Sequence, residues 1–204
     1  MPAPVPVRRI GIFGGAFDPP HVAHAALAQA AVQSLRLDEL RVIPTGQAWH
    51  KTRALSPAQH RFAMAQLAFS TLPHVVVDSR EIERSGPSYT VDTLREFRVH
   101  WPKAEFFLII GEDQAHALTD WHAWQEILQL AIICVASRED LAGAKSKFHA
   151  PPAYESRFQW LQVPDMPVSA TDIRNRVATH QSIASLVFEP VARYIDDHHL
   201  YQTI

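Results

Sequence analysis

Gly11-Ile-Phe-Gly-Gly-Ala-Phe-Asp-Pro-Pro-His-Val-Ala-His24 is the stretch on which the reading of this chain turns. Before it, Val7-Arg-Arg-Ile-Gly-Ile-Phe13 is a short apolar run of strand character. After it, Ala25-Ala-Leu-Ala-Gln-Ala-Ala-Val-Gln-Ser-Leu35 is rich in strong helix formers. The motif is therefore a strand-to-helix turn. Gly14 and Gly15 remove side chains where the main chain must bend and where a ligand can come close, while Asp18 and two prolines punctuate the turn. The N–H groups of a helix start attract anions, phosphates above all. His21 and His24, three residues apart, project their rings to one side of the first helical turn. Two imidazoles beside helix-start donors suit the charge that develops on a phosphoryl group under attack, a chemistry that needs no nucleophilic side chain.

Two other readings of the same stretch fit less well. A glycine-rich turn of this kind often binds a dinucleotide, but G-x-G-x-x-G is absent. The next strand ends Arg41-Val-Ile-Pro-Thr45, without the acidic residue that would hold a ribose. The histidine pair could hold a metal, but no Cys or His cluster with ligand spacing accompanies it, so no protein-built metal site is expected.

Composition narrows the classes further. A chain of 204 residues can fill one core with some decoration, and the expectation is a single domain over 1–204. Hydrophobic residues make up 47% and charged residues 20%, as in soluble globular proteins. Lys and Arg total 19 against 21 acids, which argues against a broad nucleic-acid surface. The single cysteine, Cys134, sits in the apolar run Ala131-Ile-Ile-Cys-Val-Ala136 and reads as a buried structural thiol. Met1-Pro-Ala-Pro-Val-Pro lacks the segments of a signal peptide and no apolar stretch reaches spanning length, so a cytoplasmic protein with no membrane partner is expected.

Working outward, Glu39-Leu-Arg-Val-Ile-Pro44 reads as a second strand, parallel to the first through a right-handed crossover. The connection from Thr45 to Ser56 follows a strand's carboxyl end and carries His50, Lys51 and Arg53; His50 and Lys51 are read as triphosphate contacts. Ser56-Pro57 opens a helix through Phe69, with Phe62, Leu67 and Phe69 at or near the core. His74-Val-Val-Val-Asp78 reads as a third strand, its apolar centre suiting a sheet covered on both faces. Gly86-Pro87 turns the chain and Ser88 caps a helix, leaving main-chain donors near Tyr89 and Thr90, a site that favours a carboxylate; by itself this is an ordinary capped helix.

Glu105-Phe-Phe-Leu-Ile-Ile110 is a strong strand, and Gly111 with Asp113 directly after it suits approach to a nucleotide, the carboxylate accepting from ribose hydroxyls. Asp120 reads as the cap of a helix bearing Trp121, Trp124, Ile127 and Leu128 on one face. Ala131–Ala136 and Phe158–Val163 complete the strands, with a polar excursion between them. In Val168-Ser-Ala-Thr-Asp-Ile-Arg-Asn-Arg-Val177, Ser169 and Thr171 supply hydroxyls at a helix start, and Arg174 lies one turn on with a guanidinium that can fork onto phosphate oxygens. Val191 to Tyr201 closes the chain as an amphipathic helix with Val191, Tyr194 and Ile195 inward.

Taken together, GGAFDPPHVAH, the Pro-Ser-Tyr-Thr segment at 87–90, Thr-Asp-Trp at 119–121 and the Ser169–Arg174 string resemble the bacterial nicotinate-nucleotide adenylyltransferases, members of the nucleotidyltransferase superfamily with a T/HxGH motif. Ala23 stands where that family usually has glycine. The resemblance implies a Rossmann-like open parallel α/β sheet of five or so strands with helices on both faces and a small C-terminal helical section from about 169. It implies adenylyl transfer from ATP to nicotinate mononucleotide, with Mg2+ held mainly by substrate phosphates. It assigns His21, His24 and Arg174 to catalysis; Gly14, Gly15, Phe17, His21, His24, Lys51, Gly111, Asp113, Ser169, Thr171 and Arg174 to ATP; and Gly15, Ala16, His50, Lys51, Tyr89, Thr90 and Trp121 to the mononucleotide, with Trp121 stacking on the pyridine ring. Phosphopantetheine or nicotinamide-nucleotide adenylyl transfer, or a nucleotide sensor without turnover, are the alternatives; the oligomeric state is left unassigned.

Overall fold

The computed structural model describes residues 7–47, 54–138 and 148–202. Six parallel strands form one sheet in the order β3-β2-β1-β4-β5-β6, where β1 is Arg9–Gly15, β2 Glu39–Pro44, β3 Val75–Val77, β4 Glu105–Gly111, β5 Ile132–Arg138 and β6 Phe158–Val163. The Rossmann-like α/β architecture implied by the resemblance is the one observed, and its six strands fall on the six strand runs read in the sequence. Chain order reverses between β1 and β4, and in open parallel sheets ligands bind outside the carboxyl ends of the strands at such a point. The ends that meet there are Gly14-Gly15 and Gly111.

Alternate side chains of the central strands feed two cores, one on each face of the sheet. Phe13, Leu40, Val42, Phe107, Ile109 and Cys134 pack with helices α1 (Val22–Ser34), α2 (Ala58–Phe69), α7 (Ala170–Ala178) and α8 (Glu189–Asp197). Ile10, Ile12, Ile43, Phe106, Leu108 and Ile110 pack with α4 (Thr90–His100) and α6 (Trp124–Leu130). Two short helices complete the set, α3 (Arg80–Glu83) and α5 (Glu112–His116). Burial pushes the Cys134 thiol up to about 12, in keeping with a structural cysteine.

Several expectations need correction. The first strand runs through both glycines, and α1 begins at Val22, so His21 is its N-cap and His24 its third helical residue. In α2 the buried positions are Arg61, Met64, Ala65, Ala68 and Phe69, while Leu67 is 37% exposed; a pattern read by hydrophobicity alone put the buried face out of phase because a buried arginine belongs to it. The third strand is a short edge, with Val76 exposed rather than covered. Trp121 is not on a helix. It follows a single 3-10 turn, Leu118–Asp120, and α6 starts only at Trp124, after Ala123 in a left-handed conformation (φ 52°). Ser88 hydrogen-bonds Gln47, and Tyr89 is the N-cap of α4.

Candidate active site

His21 and His24 occupy the start of α1 directly behind the β1 glycines. The His21 N–H donates to His24 Nδ1 (3.2 Å), so the neutral His24 ring carries its hydrogen on Nε2. The two imidazoles stack with centroids 3.7 Å apart and 24° between planes. Phe17 meets the His24 ring edge-on at 5.1 Å and also touches Phe13 and Phe69. Its main chain is left-handed (φ 47°), a conformation costing a residue with a side chain about 1–2 kcal/mol. That conformation goes with a Phe17 ring turned inward, at 2% exposure, as a wall for His24.

Arg174 reaches the same turn from 156 positions away. Its Nη1 donates to the carbonyl of Asp18 (2.7 Å) and its Nη2 to Thr171 Oγ1 (3.0 Å). Ser169 caps α7 by accepting from the Asp172 N–H (3.1 Å), which fixes the helix start from which Thr171 and Arg174 project. The two motifs at opposite ends of the sequence thus form one cluster.

Asp18 is the hub of that cluster and was read in the sequence only as turn punctuation. It is 2% exposed; Oδ1 accepts from the Tyr201 hydroxyl (2.6 Å) and Oδ2 from the Ser56 N–H (3.2 Å). No sequence signal marks a partner 183 residues distant. Burial, and next the Asp18 carboxylate beside it, push the Tyr201 pKa well above the ordinary tyrosine value. Tyr201→Phe leaves a buried carboxylate oxygen short of a donor and is expected to cost about 2 kcal/mol, roughly 4–8 °C in melting temperature. Because folding raises this pKa, the contribution is whole below pH 10 and is lost above it at about 1.4 kcal/mol per pH unit, as the unfolded phenol ionises first. Denaturant titrations of both proteins from neutral to alkaline pH should show the wild-type advantage shrinking above pH 10.

The segments carrying Tyr89, Thr90 and Trp121 lie together. The Tyr89 ring is 4.6 Å from that of His122, the residue after Trp121, and Thr90 opens α4. A chain of hydrogen bonds joins this region to the histidine turn. Thr45 N–H donates to the Gly15 carbonyl (2.9 Å), Gln47 N–H to Ser88 Oγ (3.3 Å) and Ser88 N–H to the Gln47 carbonyl (3.2 Å). At Gly14 and at Gly111 the space a side chain would take is open. Asp113 is exposed in the first turn of α5, and Ala16 is half-buried beside Gly15. Trp124 packs on Tyr154 at 5.4 Å, partly buried against the core. His50 and Lys51 lie outside the described residues. Among the described residues no group of three or more His, Cys, Asp or Glu could hold a metal, and no helix is long and apolar enough to cross a membrane.

Comparison with known proteins bears on this arrangement. The cytidylyltransferase-like family model matches residues 12–176. A protein of Albidiferax ferrireducens named probable nicotinate-nucleotide adenylyltransferase is 71% identical over 97% of this chain and 100% of its own length. One of the same name from Methylibium petroleiphilum is 46% identical over 96% and 93%. The chain belongs to the nicotinate-nucleotide adenylyltransferase family. The fold of this family member is also that of the Plasmodium falciparum nicotinic acid mononucleotide adenylyltransferase complexed with NaAD, with a TM-score of 0.75 at 18% identity, covering 95% of this chain and 97% of that one. Nucleotidyltransferases of this family typically use Mg2+. Ala23 sits half-buried on the first turn of α1.

Proposed function

We propose that this protein transfers the adenylyl group of ATP to nicotinate mononucleotide, forming nicotinate adenine dinucleotide and releasing pyrophosphate. The observation that carries the reading is the meeting of the histidine pair and the Arg174 guanidinium on the Asp18 turn, at the switch point of the sheet. The names of the relatives and the NaAD complex of the Plasmodium protein support the choice of substrates.

The chemistry needs little covalent help. A phosphomonoester's second pKa is about 6, so the attacking 5′-phosphate oxygen is already anionic at neutral pH and no general base is required. That oxygen forms a bond to the α-phosphorus while the bond from the α-phosphorus to the bridging oxygen of pyrophosphate breaks. The protein's contribution is alignment of two anions and donors for the charge on the transferring and departing phosphates. His21 and His24 serve the reacting phosphate; Arg174, with Ser169, Thr171 and Lys51, serves the departing triphosphate tail. Gly14, Gly15, the Phe17 main chain, Gly111 and Asp113 border the ATP nucleoside. Ala16, His50, Tyr89, Thr90 and Trp121 face the mononucleotide, its carboxylate at the α4 start.

Magnesium fits this scheme as an ion carried by phosphates. Asp18, the carboxylate nearest the histidines in sequence, is engaged by Tyr201 and Ser56, and no described cluster competes for a cation. Bound this way, Mg2+ neutralises phosphate charge without a dedicated protein cage.

Pyrophosphate release with ATP and Mg2+, measured for nicotinate mononucleotide, nicotinamide mononucleotide and phosphopantetheine in parallel, tests the assignment. The nicotinate substrate should be preferred; preference for another acceptor would reassign the enzyme, and no release with any would favour the sensor. A second check is steric. Gly14→Val should fold normally, since its side chain enters open space, yet raise the KM for ATP about ten- to a hundredfold by crowding the nucleoside. An unchanged KM would move the nucleoside elsewhere.

A further inference from the structure

Helix α2 carries a buried arginine that the reaction scheme does not use. Arg61 is 1% exposed, and its guanidinium donates to carbonyls of three separate segments: Nε to Ser56 (2.9 Å), Nη1 to Ala16 (2.9 Å) and Nη2 to Gly46 (3.2 Å). Removing a guanidinium from water is costly, and main-chain carbonyls repay that cost only where the geometry is good. A group this expensive points to a distance that has to be held.

The carbonyls show which distance. Ala16 lies in the turn that leads to His21 and His24, on the phosphate side. Gly46 follows β2 and leads, through the paired hydrogen bonds of Gln47 and Ser88, to Tyr89 and Thr90 on the pyridine side. Gly46 is also locked from behind, because a side chain there would drive into the main-chain carbonyl of Glu81. Ser56, at the foot of Arg61's own helix, takes the third bond and fixes the orientation of the guanidinium. One rigid planar group therefore spans from the turn that faces the phosphate to the strand end that faces the ring.

We infer that Arg61 is a positioning residue for the mononucleotide: its guanidinium sets the separation between the phosphate-facing turn at Ala16 and the pyridine-facing segment at Gly46 to Tyr89. The inference rests on the adenylyl-transfer reading above. ATP, bordered by Gly14, Gly111 and the α7 start, depends on only one end of this span. The mononucleotide must bridge both. A lysine cannot substitute, because an ammonium is a point charge on a flexible stem and does not present N–H groups in a fixed fork.

Steady-state kinetics of Arg61→Lys and Arg61→Ala, varying each substrate separately and accompanied by melting curves, provide the test. A misplacement of about 1 Å costs up to about a hundredfold. The KM for nicotinate mononucleotide should rise by about that order, with a much smaller rise for ATP. Guanidinium chloride at low, non-denaturing concentration should lower the raised KM of Arg61→Ala, and ammonium chloride at equal ionic strength should not. A purely structural arginine predicts otherwise: turnover falls with the folded fraction while both KM values stay put. That result overturns the inference, as would equal rises for both substrates, or failure of both variants to fold. Wild-type protein that does not turn over the mononucleotide would instead remove the adenylyl-transfer reading, and this inference with it.

Discussion

Replacing His24 by alanine is expected to lower turnover by roughly two to three decades with the fold intact, the loss typical of a preorganised donor aimed at developing charge. The geometry allows a sharper version. His24 Nδ1 accepts from the His21 N–H, so the ring has a structural edge and a chemical edge. His24→Asn keeps an acceptor near the Nδ1 position and gives up the distal donor. His24→Gln extends an amide donor toward the Nε2 position. Turnover should therefore be lost in His24→Asn as in His24→Ala, and partly regained in His24→Gln, with similar melting temperatures throughout. Steady-state rates beside melting curves decide the matter; full turnover in His24→Ala or His24→Asn would remove His24 from the reaction.

Arg174→Ala is expected to reduce kcat/KM by about two decades, because it removes both the guanidinium we propose for the departing phosphates and the tie between α7 and the histidine turn. Arg174→Lys should recover little. The guanidinium meets the Asp18 carbonyl through Nη1 and Thr171 Oγ1 through Nη2, a two-pronged contact that a point-charge ammonium does not copy. Comparing both variants with pyrophosphate as a product inhibitor adds a check: weakened inhibition is expected if Arg174 holds the departing phosphates. Unaltered inhibition together with unaltered kcat/KM would confine Arg174 to a structural tie.

The legible and illegible parts of this protein divide along a physical line. The β1–turn–α1 unit, the capped start of α7 and the all-parallel sheet were readable because each is a local regularity: glycines where the chain bends, a serine before a helix, apolar runs of strand length. The errors fall where a neighbour overrules the local pattern. The spacing of Trp121 and Trp124 suits one helix, yet a left-handed residue at Ala123 separates them. Hydrophobicity ranks Leu67 for the interior and Arg61 for the surface, and the fold reverses them. In the folded protein the Ala16 and Gly46 carbonyls, with that of Ser56 at the foot of the same helix, take a planar donor, and the helix turns Arg61 inward to meet them.

From its residues alone this chain determined an order of elements and a set of donors fit for phosphate chemistry, because helix starts, glycine turns and imidazoles carry their chemistry with them. Only the tertiary structure decided that Arg174 meets the turn leading to His24, that Asp18 is pinned by Tyr201, and that a buried guanidinium ties the Ala16 turn to the end of β2 at Gly46. Those contacts join residues up to 183 positions apart. Nothing in a residue's near neighbours can specify such a partner; the packing of helices on both faces of the sheet brings them within hydrogen-bonding reach.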